Sequence, residues 1–187
     1  MKNEMRKEFL KKRSALSKAE QQEKSRIIVE KLLNTEEYKK ADWIFTYIDM
    51  GSEVKTVPFI EQAWKDGKNV AVPIAKKDRL MYFVPLTTFE GLSRTKLGVM
   101  EPDEPIEKQV LPEKDTMFIV PGSMFDVQMN RCGYGGGYYD TYISEKNVEN
   151  TIGICYDFQL VDEIPTEEFD RKLKRIITEK RDIKGGK

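Results

Sequence analysis

The sequence predicts an α/β fold built around a mostly parallel sheet. Short apolar, β-branched runs alternate with helical segments along the chain, which is typical of parallel strands joined by crossover helices. The 187 residues correspond to about one domain, and a hydrophobic content of 39% is enough for a packed core. We therefore expect residues 1–187 to form a single α/β domain.

Helices are predicted from apolar stripes and from end signals. Ser17 and Glu20 make a capping box, in which a hydroxyl and a carboxylate each satisfy a backbone N–H at a helix start. The predicted helices are residues 2–13, 18–33 and 57–66, and a segment that begins near Tyr138.

Six strands are predicted from short runs of apolar and β-branched residues. They cover residues 43–48, 70–74, 80–84, 117–120, 151–155 and 176–177. In a parallel sheet, ligands bind beyond the carboxyl ends of the strands. We therefore expect segments 49–53 and 121–126 to share a pocket with the Gly-rich run at residues 133–137.

Composition excludes several function classes. The chain has no histidine, which excludes Ser-His-Asp catalysis, Cys-His catalysis and histidine-based zinc sites. Its two cysteines cannot build a disulfide framework, so we expect a reducing, cytoplasmic location. The first residues lack the apolar core of a signal peptide, and no apolar run approaches the ~18 residues of a membrane span.

Charge is balanced overall but uneven along the chain. With 32 basic and 32 acidic residues the net charge is zero, so a nucleic-acid partner is not expected. Residues 1–40 carry a net charge of +5, residues 171–187 carry +6 and the middle of the chain carries −11. The basic ends could fold back onto the acidic middle or converge on an anionic ligand.

The Gly-rich run is the strongest local signal of a binding site. Four of the twelve glycines fall within residues 133–137, so this backbone can approach a ligand closely and form an anion-binding nest of N–H groups. The predicted helix after it adds a positive end, and Arg131 adds a forked charge. A phosphate site is therefore predicted. The alternative is a tight strand-to-helix turn with tyrosines in the core, because no known nucleotide fingerprint fits.

Two carboxylates are candidates for ligand contacts. Asp140, in the first turn of the predicted helix, could bind Mg²⁺ beside phosphates, or could only interact with the helix dipole. Glu53 follows a buried strand and could accept hydrogen bonds from a polar heterocycle, or could be a solvated loop residue.

Other candidates have equally open alternatives. Lys2 and Arg6 lie one helical turn apart and could clamp phosphates, or be solvated. Ile48 and Met50 could form a ligand wall or belong to the core. Cys132 is not expected to be a nucleophile, since no histidine is available to activate its thiol.

These motifs resemble the 5-formyltetrahydrofolate cyclo-ligase family, also called methenyltetrahydrofolate synthetases. Residues 131–140 read R-C-G-Y-G-G-G-Y-Y-D, close to the family's R-L-G-Y-G-G-G-Y-Y-D. Lys2 and Arg6 are similar to its amino-terminal K-x-x-x-R, residues 53–56 to its E-[VI]-x-T, and residues 121–126 to its P-G-x-x-F-D. The resemblance covers essentially the whole chain.

The resemblance implies a three-layer α/β/α fold and an enzyme. ATP, with Mg²⁺, would convert 5-formyltetrahydrofolate to 5,10-methenyltetrahydrofolate, ADP and phosphate. The γ-phosphoryl group would pass to the formyl oxygen, and N10 of the folate would then attack the activated carbon. Because the nucleophiles belong to the substrate, such chemistry needs no histidine.

The resemblance also implies roles for individual residues. Arg131 and Tyr134 would be catalytic, and Asp140 would bind the metal. The implied ATP contacts are Lys2, Asn3, Glu4, Met5, Arg6, Arg131, Cys132, Gly133, Tyr134, Gly135, Gly136, Gly137, Tyr138 and Tyr139. The implied folate contacts are Ile48, Met50, Glu53, Tyr134, Gly135, Gly136, Gly137 and Tyr138.

Four positions depart from the family pattern. Cys132 replaces a usual leucine, which is a packing change. Met129 stands where relatives often have glycine, which alters the loop before Arg131. Phe169 replaces the histidine of a common His-Asp pair, and Lys174 stands where relatives often carry an aspartate that helps to bind the metal. Either Asp170 compensates for this missing carboxylate, or Lys174 contacts phosphate directly.

We therefore expect a cytoplasmic, monomeric enzyme that acts on small molecules. The alternative is a diverged, non-catalytic relative that binds folate, nucleotide or RNA. A sugar-phosphate isomerase of similar architecture is a weaker interpretation, since its signatures are absent.

Overall fold

The structure, a computed structural model, describes residues 1–186. Its helices are α1 (Lys2–Ser14), α2 (Lys18–Leu33), α3 (Glu36–Lys40), α4 (Val57–Lys65) and α5 (Tyr138–Lys146). Its strands are β1 (Trp43–Phe45), β2 (Asn69–Ala75), β3 (Met81–Pro85), β4 (Ser93–Arg94), β5 (Met100–Glu101), β6 (Met117–Val120), β7 (Met124–Asp126), β8 (Arg131–Cys132), β9 (Thr151–Ile154), β10 (Leu160–Val161), β11 (Arg175–Ile177) and β12 (Asp182–Lys184).

One seven-stranded sheet organises the chain, in the order β12-β11-β9-β6-β1-β2-β3. The four inner pairings, from β11 to β2, are parallel, and the two edge strands β12 and β3 pair antiparallel with their neighbours. The predicted α/β class with a mostly parallel sheet is confirmed.

Helices cover both faces of this sheet. In β6, Met117 and Ile119 point into one core with α2, α3 and α4, whereas Phe118 and Val120 point into a second core with α5. This alternation follows from the two-residue period of a strand. It produces the three-layer α/β/α arrangement that the family resemblance implies.

The predicted elements are largely present, with differences at the strand ends. The strand predicted at 43–48 ends at Phe45, and residues 46–48 continue as buried chain that leads into the next loop, with the Thr46 N–H still bonded to the Ala71 carbonyl of β2 at 3.0 Å. Four features were not predicted from the sequence: α3, the small β10-β7-β8 sheet, the β4-β5 pair and the charged edge strand β12. No helix among residues 1–186 is long and apolar enough to cross a membrane.

The basic carboxyl-terminal segment folds back onto acidic side chains. Arg175 is paired with Glu37 of the α3 helix at 2.8 Å and with Asp182 at 2.6 Å. Arg181 is paired with Asp157 at 2.7 Å. Of these acidic partners only Asp157 belongs to the acidic middle of the chain, while Arg171 lines the cleft described below, so each of the two arrangements that the charge pattern left open is met in part.

Candidate functional site

A cleft of about 1260 Å³ opens at the carboxyl ends of β1, β2 and β6. Met50 and Glu53, from the loop after β1, meet the Gly-rich loop there, and Pro121 follows β6. The predicted convergence of these three segments is therefore observed. Helix α1, the β2–β3 hairpin and residues 167–171 complete the walls.

The Gly-rich loop adopts a conformation that requires glycine. Gly135 has a φ of +103° and Gly137 a φ of +70°, a region that residues with a Cβ rarely adopt. Gly137 is the N-cap of α5 and provides no side-chain cap, so backbone N–H groups at the positive helix end lie beside the cleft without a side-chain partner. The loop thus has the features of an anion-binding turn.

Arg131 is an internal brace of this loop. Only 3% of the residue is exposed; its Nη1 donates to the Pro121 carbonyl at 3.0 Å and its Nη2 to Asp140 Oδ2 at 2.9 Å. A Cβ on Gly133 would lie 2.7 Å from Arg131 Nη1, so this glycine leaves room for the guanidinium. The guanidinium also lies 5.6 Å from the centre of the Tyr139 ring. A direct phosphate contact by Arg131 stays a prediction.

The amino terminus of α1 lies against the same loop. Arg6 Nε donates to the Gly133 carbonyl at 2.8 Å, and Arg6 also hydrogen-bonds the Asn3 side chain. Lys2 pairs with Asp170 at 2.6 Å. Lys2, Asn3 and Arg6 all line the cleft, as does Asp170.

Three of the implied ATP contacts lie elsewhere. Met5 and the fully buried Cys132 pack in a separate apolar cluster with Phe9 and Met124. Glu4 is exposed on α1 beside the amino terminus. None of these three side chains lines the cleft. Their positions are explained by helix periodicity and strand alternation, which turn neighbouring side chains in different directions.

A hydrogen-bonded triad of Arg13, Tyr134 and Glu53 lies at the inner wall of the cleft, which Tyr134 and Glu53 line. Tyr134 accepts a hydrogen bond from Arg13 Nη1 at 2.8 Å and donates one to Glu53 Oε2 at 3.2 Å. The Met50 N–H donates to Glu53 Oε1 at 3.1 Å. Tyr134 exposes 46% of its surface, so its ring forms part of the rim while its hydroxyl reaches inward. Arg13 also donates to the Ser52 hydroxyl at 3.0 Å.

Burial raises the pKa of the Glu53 carboxyl to about 7, against the lowering effect of Arg13 and of the Met50 N–H. The same burial raises the pKa of Tyr134 above its ordinary value, reinforced by the nearby Glu53. Tyr134 is therefore neutral and able to donate, and Glu53 can exchange a proton near neutral pH.

The remaining predicted wall residues are apolar and partly covered. Ile48 is 8% exposed in the core next to the cleft, and Met50 is half-buried with its sulfur near Gly98. Both line the cleft, and Ile48 also belongs to the core, whereas Met50 is only half-buried. Contact of either side chain with a ligand stays a prediction.

Several cations at or next to the cleft were not predicted from the sequence. Arg13, buried behind Tyr134, lies on the face of α1 that carries Lys2 and Arg6, because four and seven residues correspond to about one and two helical turns. Five further cations line the cleft itself: Lys76, Lys77, Arg79, Lys96 and Arg171.

The departures from the family pattern fall at different places. Met129 is buried and has a φ of +72°, the conformation that favours glycine. Phe169 is exposed at the cleft. Lys174 is exposed and does not line the cleft, so its charge is not part of this site.

The donor set for a metal ion is sparse. Among residues 1–186 no group of three or more histidine, cysteine or carboxylate side chains could hold a metal ion. Asp140 lines the cleft, with Oδ2 paired to Arg131 and Oδ1 3.3 Å from the Arg171 backbone nitrogen. A carboxylate has about four lone-pair positions, so Asp140 keeps some capacity for a further contact. This fits an ion such as Mg²⁺, which often takes one protein carboxylate and completes its shell with phosphate and water.

Comparison with known proteins identifies the family. The model of the 5-formyltetrahydrofolate cyclo-ligase family matches residues 1–179. A Schizosaccharomyces pombe protein named "Probable 5-formyltetrahydrofolate cyclo-ligase" is 34% identical, with 84% of each chain covered. The 5-formyltetrahydrofolate cyclo-ligase of Haemophilus influenzae is 30% identical, covering 93% of this chain and 95% of its own.

A solved structure gives the same result for the fold. The Aquifex aeolicus 5,10-methenyltetrahydrofolate synthetase superimposes with a TM-score of 0.84 at 28% identity, covering 98% of this chain and 92% of that chain. Family, relatives and structure therefore agree, and the chain belongs to the 5-formyltetrahydrofolate cyclo-ligase family.

Proposed function

We propose that the protein converts 5-formyltetrahydrofolate to 5,10-methenyltetrahydrofolate with ATP, releasing ADP and phosphate. The observation that carries this proposal is the hydrogen bond between Tyr134, in the Gly-rich loop, and Glu53, in the loop after β1. It joins a turn suited to phosphates and a carboxylate suited to a heterocycle within one cleft.

Nucleotide binding is assigned to the Gly-rich side of the cleft. The N–H groups around Gly135 and Gly137 and the positive end of α5 favour a triphosphate. Lys2 and Arg6 add positive charge at the same loop. Tyr138 and Tyr139 follow directly in α5, with Tyr138 donating to the Lys76 carbonyl at 2.6 Å.

Folate binding is assigned to the Glu53 side. A reduced pterin offers several N–H donors on one edge, and an ionised Glu53 would accept two of them. Ile48 and Met50 provide apolar surface for the ring. Because Tyr134 bonds to Glu53, it lies between the pterin and the nucleotide in this arrangement.

The proposed reaction needs positioning and charge stabilisation more than acid–base chemistry. The formyl oxygen attacks the γ-phosphorus and ADP leaves; N10 then attacks the formyl carbon, loses its proton, and phosphate leaves as the ring closes. The protein holds the two substrates in line and neutralises phosphate charge, and Tyr134, whose hydroxyl donates to Glu53, lies at the junction between them. Arg131 keeps the Gly-rich loop in place through Pro121 and Asp140.

Mg²⁺ would be held by Asp140 together with phosphate oxygens, and it would supply positive charge against the phosphates. We further expect residues 1–187 to act as one cytoplasmic, monomeric domain on small molecules, without a nucleic-acid partner.

The test of this function is phosphate release by the purified protein. We expect phosphate release from ATP only when 5-formyltetrahydrofolate is present. Release that is equally fast without the folate, or no release with it, would contradict the proposal.

A further inference from the structure

The β2–β3 hairpin brings an arginine onto the Gly-rich loop. A Cβ built on Gly137 would lie 3.4 Å from Arg79 Nε and 3.5 Å from Arg79 Cζ, so the guanidinium packs over this glycine. The Tyr138 hydroxyl donates to the Lys76 carbonyl at 2.6 Å and ties the hairpin to α5. Arg79 therefore lies at the helix end where phosphate is expected.

The turn that presents Arg79 is strained. Asp78 and Arg79 have φ values of +59° and +60°, and neither is glycine. The Leu80 N–H donates to the Lys77 carbonyl at 3.2 Å and closes a β-turn with Asp78 and Arg79 at its two central positions. Positive φ at both central residues is the turn geometry that favours Asn-Gly. Because Arg79 is exposed, no burial of its side chain offsets this strain.

Arg79 also differs from the other arginines that line the cleft. Arg6 donates to Gly133, Arg131 to Asp140, and Arg171 to Ser144. Within residues 1–186, no hydrogen bond or ion pair engages the side chain of Arg79. Its guanidinium donors are therefore available to a ligand at Gly137.

We propose that Arg79 binds the phosphates of the nucleoside triphosphate, together with the backbone N–H groups at the start of α5. A guanidinium matches phosphate oxygens with paired donors, and such charge-assisted contacts are stronger than neutral ones. This inference rests on the proposed function, because it takes the Gly-rich loop as the nucleotide subsite. It accounts for an arginine where the turn itself favours glycine.

The test uses two glycine variants of the same turn. Arg79→Gly removes the guanidinium and the strain at that position, and Asp78→Gly removes the equivalent strain but keeps the guanidinium. We expect neither variant to have a lower melting temperature than the parent protein. Calorimetric titration with ATP, without folate, should give about 10- to 100-fold weaker binding for Arg79→Gly, and unchanged or slightly tighter binding for Asp78→Gly.

Turnover measurements complete the test. The KM for ATP should rise in Arg79→Gly while the KM for 5-formyltetrahydrofolate stays unchanged, and Arg79→Lys should recover part of the affinity. Unchanged ATP affinity in Arg79→Gly would overturn the inference. So would an effect confined to the folate KM, or an equal loss in Asp78→Gly. If the parent binds ATP through Arg79 but forms no product, the proposed reaction fails and the nucleotide contact stands.

Discussion

The guanidinium of Arg131 and the carboxylate of Asp140 form an ion pair, with 2.9 Å between Nη2 and Oδ2, that joins β8 to the first turn of α5. The two residues are the ends of the Gly-Tyr signature, so the pair closes the loop that the signature encodes. Arg131 is almost fully buried, so what the structure shows for it is a role in holding the shape of the loop.

This pair should show energetic coupling. Arg131→Met leaves Asp140 without its cation and frees the Pro121 carbonyl, so we expect a loss of about 2–3 kcal/mol in the free energy of unfolding. A double-mutant cycle with Asp140→Asn should give a coupling energy of about 1–3 kcal/mol in denaturant unfolding. Effects that add within about 0.5 kcal/mol would show that the two side chains act independently.

Glu53 should make stability depend on pH. In the folded protein the pKa of the Glu53 carboxyl is about 7, against an ordinary value of 4.5. Between these two pH values the folded state therefore holds a proton that the unfolded chain has already released. Stability from this group is complete below pH 4.5 and is lost as pH rises through 7. Between pH 4 and pH 8 the free energy of unfolding of the parent protein should therefore fall by about 3 kcal/mol relative to that of Glu53→Gln.

The comparison is made by urea unfolding at several pH values between 4 and 8. Glu61→Gln, at an exposed position of α4, is the matched control, since it deletes a carboxyl group that the fold does not bury. A gap between the parent protein and Glu53→Gln that stays constant over this range would contradict the account of Glu53.

Arg13 should matter most when Glu53 is ionised. Arg13→Met removes the positive charge of the triad and one hydrogen bond to Tyr134, so the ionised Glu53 carboxylate loses its main electrostatic compensation. We expect a destabilisation of about 2–4 kcal/mol at pH 8 and a smaller one at pH 5. The KM for 5-formyltetrahydrofolate should rise more than the KM for ATP.

Arg13→Lys serves as the control for this prediction. This variant keeps the positive charge but not the forked guanidinium that reaches both Ser52 and Tyr134. Its loss of stability should therefore be smaller than that of Arg13→Met at both pH values. An equal loss at pH 5 and pH 8 in Arg13→Met would indicate a packing role without electrostatic compensation of Glu53.

Replacing Met129 by glycine should cost less stability than replacing it by alanine. At its φ of +72°, any residue with a Cβ is strained by roughly 1–2 kcal/mol. Both Met129→Ala and Met129→Gly lose the buried side chain, but the glycine variant also loses the strain and should be about 1 kcal/mol more stable. At the buried Met124 of β7, whose φ is not positive, alanine should be the more stable of the two. Thermal unfolding of the four variants tests this, and the same order at both positions would contradict it.

Much of the fold is encoded in local patterns. The strand at 117–120 and the helix start at Tyr138 are observed where they were predicted, because an apolar run and a Gly-to-helix transition are strong signals over a few residues. Two-residue strands such as β8 have too few side chains to show alternation. The edge strand β12 presents charged Asp182 and Lys184 to solvent, so its sequence resembles a tail.

The sequence predicted which loops come together at the cleft, but not the contacts between residues far apart in the chain. Glu53 and the Gly-rich run are marked by their places after strands. The bond from Arg13 to Tyr134 spans 121 positions in the sequence, and only packing of α1 against the cleft creates it. Likewise Arg79 contacts Gly137 only because the β2–β3 hairpin packs beside the Gly-rich loop, and the spacing of nearby residues does not predict this contact.

The central claim is that one cleft brings ATP and 5-formyltetrahydrofolate together for ring closure. The most direct measurement is the near-ultraviolet absorbance of the purified protein with ATP, Mg²⁺ and 5-formyltetrahydrofolate, which follows the formation of 5,10-methenyltetrahydrofolate. We predict an absorbance rise that requires ATP, the folate and the divalent cation. No rise from folded protein with fresh substrates, or a rise without ATP, would contradict the account.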